Sequence, residues 1–252
     1  MRMRHSLSVV IPMYNEAENA ERVTKEIGSA LEYASIPYEI LCVNNNSTDG
    51  TDEILDCLAV ADARIRPIHL PMKGYGIAVI HGLNAAEKNC VTIVSGDGQV
   101  SPHDILTAYE VMENSNVDIV RARRVKRKDG MFRIFQSSVY NGLLKTLFAL
   151  PGWDFNAPPK VMKLEFVQRL NLQSQDWFVD PEIMIKTKYL RGSVAEAKVT
   201  YGKRAAGAGK VKLSTAWEFF KNMIIWRVRY RELVRDKIAR ECSPETDIPS
   251  VR

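Results

Sequence analysis

The stretch LSVVIPMYNEAEN, residues 7–19, changes periodicity midway, and that change decides the fold class. Leu7–Met13 is a short apolar run rich in β-branched residues, which predicts a strand. Asn15 followed by Glu18 resembles a capping box, and Ala20, Val23, Ile27, Leu31 and Ala34 then fall on one helical face. The strand signal returns at Ile40–Val43, Ile65–Leu70 and Val91–Val94. A second helical stretch, with Ile54, Cys57, Leu58 and Ala61, opens after Ser47-Thr48-Asp49-Gly50. This rhythm predicts an α/β fold: a mainly parallel sheet with helices on both faces. Ligands of such sheets bind beyond the carboxyl ends of the strands.

The composition bounds the rest. A chain of 252 residues with 46% apolar and 26% charged residues can bury a continuous core, and it is neither disordered nor collagenous. Cys42, Cys57, Cys90 and Cys242 form no CxxC pair, which argues against a disulfide scaffold or a zinc site and for a reducing compartment. No apolar run approaches the roughly 18 residues of a membrane span, and the N-terminus carries no cleavable leader pattern. The expected location is the cytoplasm, at the inner face of a membrane if the tail described below engages lipid.

Beyond residue 120 the pattern loosens. Arg121, Arg123, Arg124, Lys126, Arg127 and Lys128 form a basic run, most of which reads as a solvated loop. A helix-like stretch with Tyr140 and Asn141 follows, then a Pro/Gly-punctuated segment, 151–160, and one more strand at Val194–Tyr201. Thr215–Arg240 reads as a long amphipathic helix and the last residues as a frayed end.

Three polar clusters close the predicted strands: Pro12-Met13-Tyr14-Asn15-Glu16, Asn44 to Gly50, and Ser95-Gly96-Asp97-Gly98-Gln99. Each alone is ordinary turn chemistry. Three at one edge of a parallel sheet converge on one crevice.

With VVIPMYNEAEN at 9–19, VNNNSTDGT at 43–51, KGYGIAVIHGL at 73–83, SGDGQVSP at 95–102 and KRAAGAGKVKLS at 203–214, the chain resembles the inverting family-2 glycosyltransferases. The similarity is greatest to the branch containing dolichol-phosphate mannose synthases and polyprenyl-phosphate glycosyltransferases. The resemblance implies a GT-A fold over residues 1–213, with a nucleotide-sugar-binding half (1–110), an acceptor half (111–213) and a C-terminal helix and tail (214–252). It implies transfer of a sugar from a UDP- or GDP-type donor to a polyprenyl-phosphate, glycan or lipid-linked acceptor.

By the same resemblance, Pro12, Tyr14, Glu16, Asn44, Asn45, Lys73, Gly74, Asp97 and Gln99 bind the nucleotide-sugar. Asp97 ligates a divalent cation, Mg²⁺ or Mn²⁺. Ser95 stands where the family has the first acid of its metal motif, and asparagines stand where it has paired aspartates for the base. An amide donates as well as accepts, so Asn44 or Asn45 can still read a pyrimidine edge. Arg204, Gly207 and Lys210 match a flexible segment that closes over the diphosphate, with Gly209 in place of the usual Ser, and Lys203 adds a cation beside it. Read functionally, Arg124 and Arg127 meet an anionic acceptor, or the basic run meets a phospholipid surface.

Asp154, in the Trp153–Lys160 segment, matches the family's acceptor-side acid, and Asp180 is a second candidate whose alternative role is a helix cap. A hydroxyl acceptor needs one of these two as general base, while a lipid phosphate arrives already anionic and needs none; Asp97, through the metal, is the third catalytic acid. Aromatic and Arg residues interleave from Trp217 to Arg235, which suits an interfacial membrane helix or a packed one. The missing acid and the two asparagines motivate an alternative: a catalytically silent nucleotide-sugar-binding or scaffold protein. Nucleic acid is not an expected partner, because a net charge of +5 comes with no recognised module. The sequence leaves room for an oligomer.

Overall fold

The computed structural model describes residues 5–126, 131–200, 221–232 and 234. The chain divides into two compact units, Met1–Val211 and Lys212–Arg252. In the first, β1 (Leu7–Met13), α1 (Ala17–Tyr33), β2 (Tyr38–Asn44), α2 (Thr51–Ala61), β3 (Ile65–His69), α3 (Tyr75–Ala85) and β4 (Cys90–Ile93) follow in strict alternation. Then come α4 (Pro102–Asn114), β5 (Ile119–Lys126), α5 (Met131–Phe148), β6 (Lys160–Lys163), α6 (Leu164–Leu170), α7 (Val179–Tyr189) and β7 (Val194–Thr200). The seven strands lie in the order β3-β2-β1-β4-β6-β5-β7. β6 alone runs against its neighbours.

Both sheet faces are covered, which is why β1 reads as a nearly unbroken apolar run. Leu7, Val9, Ile11 and Met13 pack with Val23, Ile27 and Leu31 of α1, Leu55 of α2 and Ile105 and Tyr109 of α4. Val10 points the other way, into α3: a Cβ on Gly82 would lie 2.3 Å from its Cγ1. The predicted mainly parallel, doubly covered sheet is what the chain forms.

Three local expectations change. Helix α1 begins at Ala17, with Glu16 at the N-cap making no side-chain cap, so the capping box at Asn15 and Glu18 does not form. The neighbouring loop supplies the caps: Ser47 Oγ, Thr51 Oγ1 and Asp49 Oδ2 accept the N–H groups of Asn15, Glu16 and Ala17, each at 3.0 Å. That loop turns at Gly50, whose φ of 85° favours glycine.

Second, the basic run is strand through Lys126, not loop. Its charges are tolerated because partners alternate with the pleat: Arg121 and Arg123 reach Glu196 of β7, and Arg124 reaches Asp154. Beyond Arg121, β5 outruns β6 and continues its ladder with β7 to Lys126, the Ala122 N–H donating to Pro159 O at 3.2 Å. Third, Asp180 is the second residue of α7, makes no N-cap, and pairs instead with a buried lysine.

In the second unit residues 221–232 are helical. Met223 and Trp226 are buried, while Ile224, Ile225 and Val228 are exposed. No helix among the described residues is long and apolar enough to cross a membrane. The expected boundary at 213/214 and the residues Arg127, Lys203, Arg204 and Lys210 lie outside the described residues.

Candidate active site

The carboxyl ends of β1, β2, β4 and β5 and the amino end of β6 share one edge of the sheet, because β6 is reversed. On the β1–β2 side, the Asn45 N–H donates to Met13 O and its side-chain Oδ1 accepts the Gly74 N–H, both at 2.8 Å. The Lys73 ammonium lies 3.5 Å from the centroid of the Tyr14 ring, a cation–π contact joining the two loops. Tyr14, Asn45, Lys73 and Gly74 are thus brought together.

Asn44 has a different employment. Its Oδ1 accepts the Ser47 N–H at 3.0 Å, so its Nδ2 faces His69 Nδ1 at 3.2 Å. His69 Nδ1 must then accept and Nε2 carry the hydrogen, which it donates to Asp56 Oδ1 at 3.0 Å. Both polar ends of Asn44 are held by protein groups. Nothing in the strand pattern points to His69, which the parallel pairing of Asn44 with His69 brings alongside.

Asp97 is buried after β4, and its Oδ1 accepts the Gln99 N–H at 3.1 Å. Gly96 keeps it close to the first loop: a Cβ there would lie 2.9 Å from Met13 Cγ and 3.3 Å from Pro12 O. Glu16 is buried beside them and accepts from Asn19 Nδ2 at 2.9 Å. Among the described residues no three His, Cys, Asp or Glu side chains converge into a metal cage. A single buried carboxylate suits a Mg²⁺- or Mn²⁺-type ion that takes its remaining oxygens from a diphosphate and water.

Residues beyond 110 contribute two ion pairs at this edge. Arg124 Nε donates to Asp154 Oδ2 at 2.7 Å and its Nη2 to Oδ1, a bidentate pair. Lys160, only 2% exposed at the start of β6, donates from Nζ to Asp180 Oδ1 at 2.5 Å. The other oxygen of Asp180 accepts the Tyr75 hydroxyl at 3.3 Å. Tyr75 stacks on Trp177 with ring centroids 4.3 Å apart and planes 15° from parallel. Burial, with Asp180 and Asp176 nearby, raises the Tyr140 hydroxyl far above its usual pKa, against a hydrogen bond with Asn156, so it stays protonated.

Sequence reasoning misses Lys160, Tyr75, Trp177 and His69. Tyr75 lies in the KGYGIAVIHGL motif and Lys160 ends the Trp153–Lys160 segment, but their pairing through Asp180 is tertiary. A signal was available in Lys160, an ionisable residue just before the apolar Val161-Met162 pair.

A mixed sheet of this strand order, with its polar loops at one edge, defines a GT-A glycosyltransferase fold. The fold is similar to glucosyl-3-phosphoglycerate synthase from Mycobacterium tuberculosis, solved in complex with Mn²⁺, uridine-diphosphate and glucosyl-3-phosphoglycerate (TM-score 0.67, 18% identity, 87% of this chain and 77% of that one). It is equally similar to mannosyl-3-phosphoglycerate synthase from Rubrobacter xylanophilus (TM-score 0.69, 17% identity, 98% and 79%). Residues 8–171 match the model of Glycosyl transferase family 2, and the chain belongs to that family.

Among curated proteins the chain is 30% identical over 241 residues to a dolichol-phosphate mannosyltransferase of Pyrococcus furiosus, covering 93% of this chain and 66% of that protein. It is 26% identical over 210 residues to an undecaprenyl-phosphate 4-deoxy-4-formamido-L-arabinose transferase of Serratia proteamaculans, covering 82% and 63%. The chain thus spans less than two thirds of the length of either. An uncharacterized glycosyltransferase of Mycobacterium bovis is matched over 97% of its length at 26% identity, covering 88% of this chain.

Proposed function

We propose that the protein is an inverting glycosyltransferase that moves a sugar from a UDP- or GDP-type nucleotide-diphospho-sugar to a polyprenyl-phosphate. The observation that carries this reading is the opposition, at one sheet edge, of a donor-type cluster and an acceptor-type cluster. Tyr14, Asn45, Lys73, Gly74 and Asp97 make the first; Arg124, Asp154, Lys160 and Asp180 make the second. The names of the polyprenyl-phosphate-using relatives support the choice of acceptor.

In this reading Asn45 faces the base, since Asn44 is committed to Ser47 and His69. Lys73 and Tyr14 flank the nucleotide. Asp97 would hold the divalent cation, Mg²⁺ or Mn²⁺, which when bound offsets the charge of the diphosphate. Gln99 orients the sugar, and Pro12, Glu16 and Gly74 shape the floor. Lys203, Arg204 and Lys210 add cationic contacts to the diphosphate.

The acceptor oxygen attacks C1 as the bond from C1 to the diphosphate oxygen breaks, with inversion. A hydroxyl acceptor would have to give its proton to Asp154 or Asp180. Both carboxylates are already engaged, Asp154 by Arg124 and Asp180 by Lys160 and Tyr75. That engagement favours an acceptor that needs no base, namely an anionic phosphate. Arg124, with Arg127, would receive it. Asp154 and Asp180 then hold the cations in place.

The helix at 221–232 exposes Ile224, Ile225 and Val228 next to Arg227 and Arg231, which suits contact with an anionic membrane surface. We place the protein beside the membrane that holds its acceptor.

The test is a thermal-shift screen of nucleotide-sugars with and without Mn²⁺, followed by transfer to undecaprenyl and dolichyl phosphate. A donor that raises Tm by mass action and is consumed only with lipid phosphate is the expected result. Binding of a donor without transfer to any acceptor would return the silent-binder reading. No binding of any donor would end the proposal.

A further inference from the structure

We propose that Tyr75 is a positioning residue, linking the occupied donor site to Asp180 across the crevice. The inference rests on the function just proposed. Gly74, its neighbour, is fixed to the end of β2 through Asn45 Oδ1 at 2.8 Å. Tyr75 itself turns to the other half of the molecule. Its hydroxyl donates to Asp180 Oδ2 at 3.3 Å, and its ring lies on Trp177. Asp180 carries on to Lys160 at 2.5 Å, and Lys160 pairs in register with Ile93 of β4 and Arg121 of β5. One residue therefore separates the loop that meets the nucleotide from a buried ion pair on the acceptor side.

The contact is not a loose surface encounter. The Ile77 N–H donates to Gln175 O at 3.3 Å, and a Cβ on Gly76 would lie 2.1 Å from Ser174 O. The segment that bears Trp177 is in turn fastened by Glu182, fully buried, whose two oxygens accept the N–H groups of Gln173 and Ser174 at 2.8 and 2.7 Å. Glu182 and Asp180 belong to the same helix, α7. The start of α3 and the start of α7 thus form one packed joint. A donor that shifts Lys73 and Gly74 shifts the Tyr75 hydroxyl, and with it the hydrogen bond that holds Asp180 Oδ2 while Oδ1 meets Lys160.

The residues also divide the labour in a way that a single substitution can separate. Tyr75→Phe keeps the stack and the packing but removes the donor to Asp180. Nucleotide binding, which uses Asn45, Lys73 and Asp97, stays within about twofold, whereas kcat for transfer falls about tenfold, as for a lost hydrogen bond to a charged group.

Two readouts on the full chain test this, with UDP and GDP as probes in Mn²⁺. Thermal shift reports whether nucleotide binds. The emission difference between the wild type and Trp177→Phe reports whether the joint responds. The expected result is a Tm rise together with a change in the Trp177 signal, the latter lost and the former kept in Tyr75→Phe. A Tm rise with an unchanged Trp177 signal overturns the role of Tyr75 and leaves the proposed function standing. If neither nucleotide raises Tm, the donor reading fails and this inference with it.

Discussion

Gly76 and Ser174 approach so closely that no side chain fits between them: a Cβ on Gly76 would lie 2.1 Å from the Ser174 carbonyl oxygen and 2.7 Å from that of Asp176. The obstruction is backbone, which cannot rotate away. Gly76→Ala should force α3 off the 174–177 segment and destabilise the chain by about 2 kcal/mol or more, the cost of overpacking. Urea unfolding of the variant checks it; a midpoint equal to wild type would show that the two segments are not held together.

Asp97 is the described acid that the proposed cation would use. Asp97→Asn keeps the acceptor for the Gln99 N–H but removes the charge. Mn²⁺-dependent transfer should fall about a hundredfold or more, the scale of losing a main source of electrostatic stabilisation. Fold stability should change little. Steady-state rates across a Mn²⁺ titration, beside a thermal melt without metal, separate the two effects.

The Arg124–Asp154 pair invites a double-mutant cycle. Asp154 is 3% exposed, so Arg124→Ala removes the bidentate partner of a buried carboxylate and should cost about 3 kcal/mol. Replacing both residues should cost less than the sum of the two single changes. Loss of Arg124 should also raise the KM for lipid phosphate while leaving nucleotide affinity alone. Additive single effects would show that the pair carries no coupling.

Glu39 governs part of the acid stability. Burial raises its carboxyl, but the Ser8 hydroxyl at 2.6 Å, the Glu87 N–H at 2.8 Å and Arg66 together outweigh burial, so its pKa is lowered in the folded protein. Its contribution is present in full above the unfolded value of 4.5 and disappears as pH falls through the lower folded value. Glu39→Gln should cost about 1–3 kcal/mol at neutral pH and flatten the decline of stability below about pH 4.5. Urea midpoints measured from pH 7 to pH 3 give both numbers.

The thiols separate by environment. Burial pushes Cys42 up to about 12, opposed only by a contact with Thr24, and Cys90 up to about 11. Cys57 is exposed on α2. Iodoacetamide at pH 8 should label Cys57 in the native protein and leave Cys42 and Cys90 unmodified until denaturant is added. Peptide mapping by mass spectrometry distinguishes the sites.

Much of this architecture is legible in the order of residues along the chain. Leu7–Met13, Ile65–Leu70 and Val194–Tyr201 announce their strands to within a few residues, because apolar runs bounded by turn residues leave few alternatives. The strand ends likewise point to Asn45 and Asp97, and the family resemblance to Lys73. What escapes is whatever depends on partners far away in sequence. β5 is written in arginine, which reads as solvent-facing until Glu196 and Asp154 arrive to neutralise it. The caps of α1 come from Ser47, Asp49 and Thr51, some thirty residues onward, so no local motif signals them. Asp180 carries the local marks of a helix cap, and only the fold brings Lys160 to it. The asparagine pair is half legible: the two look alike in sequence, and His69 distinguishes them.

The reversal of β6 has a consequence for how such a chain can diversify. In a wholly parallel sheet every residue at the crevice follows a strand, so altering one recognition loop also moves the helix that loop must enter. Here Lys160 is delivered by a segment that precedes its strand, and that segment, 151–159, starts beyond α5 and feeds directly into β6. It therefore need not satisfy the geometry of a strand-to-helix turn, and it is anchored instead by the buried Asp154, Phe155 and Ala157. On the function proposed above, acceptor contacts could change at the exposed Pro151 and Trp153 around the fixed Asp154 and Phe155, while β1, β2 and β4 go on presenting the same loops.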